Sequence, residues 1–160
     1  MKIELLIRQP WENLSISPHN SSVRYPEPQD LPLLRGSFGA SAVPVYGANR
    51  SPMAHPRHLL GGHIISDLIG VVSYQLWGTT PWLAAGLGMS LAIVAMLLTN
   101  TVHPPGGGTA LLALIGGGEM HALGYLYVLI PTGAGAALLL LVALVVNNLA
   151  RHRRYSVWRW

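Results

Sequence analysis

NTVHPPGGGTALLALIGGG, Asn100–Gly118, decides how this chain folds. A long apolar run precedes it and a longer one follows. Yet it opens with a histidine, two prolines and three consecutive glycines, the residue types least suited to a helix interior. A chain built for lipid is interrupted there, and the interruption needs a physical reason.

The surroundings establish the lipid. Half of the 160 residues are hydrophobic and 10% are charged, against roughly a quarter in soluble domains. From His58 to Ala150 the only formally charged side chains are Asp67 and Glu119. A soluble domain would need a charged surface somewhere along that length, so the chain is an all-α, polytopic membrane protein. The absence of cysteine excludes disulfides, thiolate metal sites and cysteine nucleophiles. A net charge of +4 is no nucleic-acid signature. Arg151, Arg153, Arg154 and Arg159 crowd the last ten residues beside Trp158 and Trp160. Residues 151–160 therefore read as a basic, aromatic anchor on the cytoplasmic face of a bacterial inner membrane.

Residues 1–32 differ in kind. The first thirty hold four of the six acidic residues, four prolines and no glycine. They read as a non-spanning extension without a signal-peptide pattern. Residues 33–150 form the membrane domain. His58–Trp77, Pro81–Asn100 and Leu123–Val146 each have spanning length. Small residues at helix-packing spacing, Gly62/Ser66/Gly70, Gly86/Ser90 or Gly88/Ala92, and Gly133/Ala137, predict close helix contacts. The same faces make a homo-oligomer a reasonable expectation.

The broken segment reads as an extended stretch, His103–Gly108, followed by a short helix, Thr109–Gly116. Together these are long enough to cross the bilayer. A crossing, unlike a re-entrant loop, leaves every basic residue after position 36 on one side, as the positive-inside rule expects. A second broken segment, GSFGASAVPVYGANR, lies at Gly36–Arg50. Its Gly39-Ala40-Ser41-Ala42-Val43 parallels Gly107-Gly108-Thr109-Ala110-Leu111, a short internal repeat. If each unit is helix, broken crossing, helix, its three spans make the second unit inverted relative to the first.

Non-helical backbone inside a bilayer is tolerated only where protein or a water-filled cavity satisfies it. The segments are therefore either a packing joint or a solute site. A half-helix starting near Gly108 or Thr109 would aim free N–H groups at mid-membrane, with His103 and Thr109 as further donors and Gly39–Ser41 facing them. That is an anion-binding arrangement. His63 and Asp67 share a helix face. An intramembrane carboxylate is a functional candidate, so the pair are proton-coupling candidates. His55, His58, His63 and Asp67 lack metal-ligand spacing, and no metal or cofactor is expected. Glu119 and His121 read as loop residues, and Trp77 and Trp82 as an interface belt. No nucleophile motif or HExxH is present, so an intramembrane enzyme is not expected. A non-transporting structural or partner-binding membrane protein is the stronger alternative.

TVHPPGGGTALLALIGG resembles the signature of the HPP family of integral membrane proteins. GSFGASAV and SPMAHPRHLLGGHIISDLIGV resemble that family's other two characteristic stretches. The resemblance runs from about Leu33 to the end of the last helix. It implies a compact helical membrane protein, usually with four spans, and, for plastid and cyanobacterial members, nitrite transport. The motif carries over onto His103, Pro104, Pro105, Gly106, Gly107, Thr109 and Ala110, and onto Ser37, Phe38, Gly39, Ala40, Ser41 and Ala42. With Gly108 these give an expected pathway for a small inorganic anion. The resemblance also implies an apolar helix just before SFGASA. Here that place holds SSVRYPEPQDLPLLR, which cannot span, as expected of a late start or a lost first helix. Pro44 replaces an aliphatic residue and should limit the upstream half-helix. His55 and His58 stand where Gln and Asn are commoner, which points to hydrogen bonding. Asp67 stands where a small neutral residue is commoner.

Overall fold

The computed structural model describes residues 36–149 and Tyr155; the acidic extension and the arginine–tryptophan tail lie outside the described residues. Among the described residues every regular element is helical. α1 (Gly36–Ala42) runs into a π-helical turn, Val43–Gly47, which contains Pro44. A 3-10 turn, Pro52–Ala54, leads into α2 (Pro56–Trp77), followed by α3 (Pro81–Leu98), α4 (Pro104–Ile115) and α5 (Gly118–Leu123). α6 spans Val128–Leu149, with Val128–Ala134 π-helical and the rest α. α2, α3 and α6 are the three full spans.

The third span starts at Val128, not Leu123. Gly118–Leu123 instead forms its own short helix, closed by Gly124 at φ +50°. That left-handed turn is open to glycine and breaks helical continuity. Glu119 and His121 thus lie on α5 and not in a loop. The His121 ring stacks on Tyr74 at 3.5 Å.

Contacts between elements define two ends of the bundle. At one, Arg57 Nη2 donates to Thr99 O (3.0 Å) and Asn147 Nδ2 to Val45 O (3.2 Å). Tyr155 Oη donates to Ala54 O (2.6 Å) at the same end. Burial pushes the Tyr155 phenol up to about 12, with a smaller contribution from Tyr46. At the other end His121 covers Tyr74, and Tyr125 Oη donates to Gln75 Oε1 (2.9 Å). α4 leads from the first end to the second, so the interrupted segment makes a full crossing.

The interruption is shorter than its composition suggests. α3 closes with Asn100 at φ +53°. Thr101 N–H donates to Met96 O (2.9 Å) and Asn100 N–H to Leu97 O (3.2 Å), a Schellman closure with asparagine in the left-handed position. His103 is extended, and Pro104 and Pro105 open α4. Prolines fit a first helical turn because those positions need no intrahelical donor. The glycines 106–108 are therefore helical, not extended, and the helix begins at Pro104 instead of Thr109. At twelve residues α4 is about 18 Å long. Gly62, about 9 Å along α2 from Pro56, lies against His103 and fixes the depth at which α4 starts.

The glycines serve the α2–α4 contact. A Cβ on Gly62 would lie 2.5 Å from His103 Cβ, and one on Gly70 would lie 2.7 Å from Ala110 O. One on Gly106 would meet Gly62 O at 2.9 Å. Only backbone-to-backbone approach fits there. On α3 it is Gly88 and Ala92 that are buried, whereas Gly86 and Ser90 face outward. On α6 Gly135 and Ala136 are buried while Ala137 is exposed, so Gly133/Ala137 is not the packing pair. Leu87, Leu91, Val94 and Leu98 of α3, and Leu138, Leu141 and Val145 of α6, point out of the bundle. They form an apolar surface suited to acyl chains.

Candidate functional site

Where α1, α2 and the start of α4 meet, Ser41, His63, His103 and Thr109 form one hydrogen-bonded cluster, each at 0% exposure. His63 is its centre. Its Nε2 lies 2.8 Å from Ser41 Oγ and its Nδ1 2.6 Å from Thr109 Oγ1. Ser41 and Thr109 are the equivalent positions of the five-residue repeat, so the two motifs grip opposite edges of one imidazole. Ser41 Oγ also lies 2.9 Å from His103 Nε2 and 2.8 Å from Ser37 O. His103 Nδ1–H donates to Met53 O (2.9 Å). The two imidazoles meet edge-on, 5.2 Å between centroids, and Phe38 closes over His63 at 5.0 Å.

The backbone explains how these side chains arrive together. Ser37 lies beside Gly108, Ser41 beside His103, and Val45 beside Asn147 at the Arg57 end. α1 therefore runs antiparallel to α4, as an inverted pair of motifs requires. Pro44 ends α1 in a π turn, the local break expected of a residue lacking a donor.

A second buried polar contact lies one turn along α2. Thr132 Oγ1 donates to Asp67 Oδ2, and both residues are fully buried. Pro131 cannot donate within α6, and the π-helical turn around it turns Thr132 toward α2.

The expected half-helix anion site needs correction. α4 does not begin at Gly108 or Thr109, and its first turn offers few free donors. Pro104 and Pro105 have no N–H, and Gly106 N–H donates to His103 O (2.8 Å). α4 also starts about 9 Å in from the Arg57 end, short of mid-membrane. Hydroxyls and imidazoles, not a nest of backbone amides, are the polar groups at this centre.

Among the residues singled out from sequence, Thr109, His103 and Ser41 form the cluster, and His63 joins them. Ser37 is buried beside Gly108, and Gly106 and Gly107 are buried against α2 and Met89. Gly39 is exposed. Ala40, Pro104 and Pro105, with Val43, Pro44, Ser51 and Met53, line a cleft of about 440 Å³. The Met53 carbonyl, bonded to His103, connects cleft to cluster. His55 and His58 do make hydrogen bonds: His55 Nδ1 accepts from Arg57 N–H (3.2 Å), and His58 Nδ1–H donates to Val102 O (2.9 Å). Sequence reasoning missed Thr132, although a proline inside an apolar run was its signal. It also missed the Met53 carbonyl, for which no residue-type signal exists. Among the described residues no group of three His, Cys, Asp or Glu side chains is placed to hold a metal.

Three apolar spans, a short fourth crossing and a buried hydroxyl–imidazole centre define a polytopic helical membrane protein with a polar interior. The HPP transmembrane-region profile matches residues 15–156, and the chain belongs to that family. It is similar to two Dictyostelium discoideum proteins described as transmembrane proteins. One is 45% identical over 130 residues, covering 79% of this chain and 42% of the relative. The other is 42% identical over 143 residues, covering 86% and 50%. The chain thus spans about half the length of the curated relatives it matches. No solved structure matches it.

Proposed function

We propose that this protein moves a small monovalent anion across its membrane, with nitrite, which the family resemblance implies, as the first substrate to test. The observation that carries this reading is the Ser41–His63–His103–Thr109 cluster, whose four side chains are fully buried inside the helix bundle. Intramembrane polar groups are costly and concentrate on solute pathways. The cluster lies beneath a cleft lined by both broken segments. When the cluster opens, its hydroxyl and imidazole hydrogens can turn from one another to a small oxyanion.

Because the cluster is closed, one wall must move for an anion to pass. α1 is the wall free to do so. The 440 Å³ cleft lies on one side of it, and a second cleft of about 250 Å³, lined by Phe38, Tyr46 and α6, lies on the other. Arg50 and Arg57 support a cytoplasmic Arg57 end, and with it a cytoplasmic C-terminus, under the positive-inside rule. By that reading the chain sits in the inner membrane of a bacterium, without enzymatic activity. The outward apolar face of α3 is available to a second copy as well as to lipid.

The test is uptake of nitrite, chloride, formate and nitrate into liposomes carrying the protein, with His103→Ala alongside. Anion uptake by the wild type that is lost in a variant of unchanged helicity supports the reading. If folded wild-type protein moves none of the four, and His103→Ala changes only the melting temperature, the cluster is a packing element of a structural membrane protein.

A further inference from the structure

The hydrogen bonds of the cluster can be counted against the hydrogens available to make them. Five contacts of 2.9 Å or less involve its four side chains: Thr109 Oγ1–His63 Nδ1, His63 Nε2–Ser41 Oγ, Ser41 Oγ–His103 Nε2, Ser41 Oγ–Ser37 O and His103 Nδ1–Met53 O. Each needs one hydrogen. Thr109, Ser41 and two neutral imidazoles own one each. The neutral cluster is therefore one hydrogen short. The contact from Thr109 Oγ1 to Pro105 O, at 3.4 Å, would only deepen the shortage.

The position of the missing proton follows from the acceptors. Met53 O and Ser37 O are carbonyls and only accept, so His103 Nδ1 carries a hydrogen and Ser41 turns its own toward Ser37. Ser41 Oγ can then accept from both imidazoles through its two lone pairs. His63 donates from Nε2 and accepts from Thr109 at Nδ1, which fixes it as one neutral tautomer. His103 must donate from Nε2 as well as Nδ1. An extra proton on His103 Nε2 completes all five contacts. The same proton on His63 Nδ1 would displace the Thr109 donor and still leave a Ser41 contact unmade.

We propose that the Ser41–His103 pair is a one-proton site, and that filling it admits one monovalent anion, so that proton and anion cross together without net charge. This rests on the transport reading above and specifies its coupling. One proton from the entry side joins His103 Nε2 and turns the Ser41 hydroxyl from His103 to Ser37 O. On the exit side the proton and the anion both leave, and the hydroxyl returns. A lone imidazolium in an apolar interior is unfavourable, and the anion supplies its counter-charge. Other titratable or charged groups surround the site. On α2 these are His63, Asp67, which accepts from Thr132 of α6, and His58 and Arg57, bound to Val102 O and Thr99 O. His55 stands at the α2 N-terminus. α1 and α4 bring only hydroxyls, from Ser41, Ser37 and Thr109. None of these groups changes the number of protons the site takes.

The test has two arms, both on the full chain. In liposomes with potassium and valinomycin setting the voltage, initial nitrite uptake above that of protein-free liposomes is followed with an internal pH dye. The expected result is one proton entering per nitrite, at a rate unchanged between opposite voltages. Uptake that follows voltage without acidification overturns the proposal and leaves the transport reading standing. Loss of uptake for every anion overturns both. The second arm needs no flux: ¹⁵N-histidine NMR in detergent across pH, with and without nitrite. The expected spectrum has one imidazole, missing in His103→Gln, that passes between neutral and doubly protonated forms and titrates at higher pH with nitrite present. His63 should stay neutral with hydrogen on Nε2. A His103 signal that nitrite does not move, or a doubly protonated His63, overturns the assignment.

Discussion

The two repeated motifs hold the same imidazole from opposite sides, but their surroundings differ. Thr109 stands on a twelve-residue helix wedged into α2, where Gly62, Gly70 and Gly106 leave no room for a methyl group. Ser41 stands on a seven-residue helix that ends in a π turn. Among the described residues, nothing lies within 4 Å of where a Cβ on Gly36, Gly39 or Gly47 would sit. The same small-residue vocabulary thus serves close packing in α4, while on α1 a Cβ at Gly39 would meet no other described residue. A fixed wall and a loose wall around one polar centre are what a closed site needs in order to open.

Substitutions can break that contrast. Of two glycine substitutions, Gly62→Ala should be the more damaging, because its methyl group meets His103 Cβ and the Thr101 carbonyl. A loss of about 1–3 kcal/mol in detergent unfolding is expected, whereas Gly39→Ala should stay within about 0.5 kcal/mol. Equal effects would remove the distinction between the walls. Thr132→Val tests whether the π turn of α6 belongs to the fixed side. Removing the donor to a buried carboxylate should cost about 1.5–3 kcal/mol, and a silent substitution would detach Asp67 from the scaffold. Thr109→Val and Ser41→Ala each remove one hydroxyl from His63. The first should lower stability by about 1 kcal/mol, while the second should lower it less, because α1 can relax, and still abolish uptake.

Tyr155→Phe should have the smallest effect, roughly 0.5–1.5 kcal/mol for one hydrogen bond to Ala54 O. Its signature is in alkali. The phenol rises from 10.0 to about 12 in the folded protein, so the folded state disfavours the phenolate. The stabilisation is complete below pH 10 and is lost as pH rises toward 12. In Tyr155→Phe that part of the pH profile should be flat.

Much of this arrangement could be read from residue types. Spanning lengths gave α2 and α3 to within two residues, and the arginine distribution gave a full crossing. The short likeness between Gly39–Val43 and Gly107–Leu111 paired Ser41 with Thr109, which the fold brings to one ring. Residue types alone put the start of α4 at Thr109 and not at Pro104, because proline and glycine count there as helix breakers. Proline in a first turn and glycine at a tight interface are compatible with helix, and which case applies depends on what α2 presents opposite. Gly86/Ser90 and Gly88/Ala92 differ by two residues, so their spacing alone cannot say which faces the bundle. The Met53 carbonyl carries no residue-type signal, and the role of Thr132 depends on a π turn that only packing reveals.

The central claim is that the cluster opens by movement of α1 against α4, and a single cross-link tests it. A Cβ on Gly108 would lie 3.8 Å from Ser37 Cβ, close to the usual separation in a disulfide, and the chain has no cysteine to interfere. Nitrite uptake by Ser37→Cys/Gly108→Cys in liposomes should be silent when oxidised and return on reduction. Undiminished uptake through the cross-linked protein would contradict the account, since the anion would then pass without α1 leaving α4.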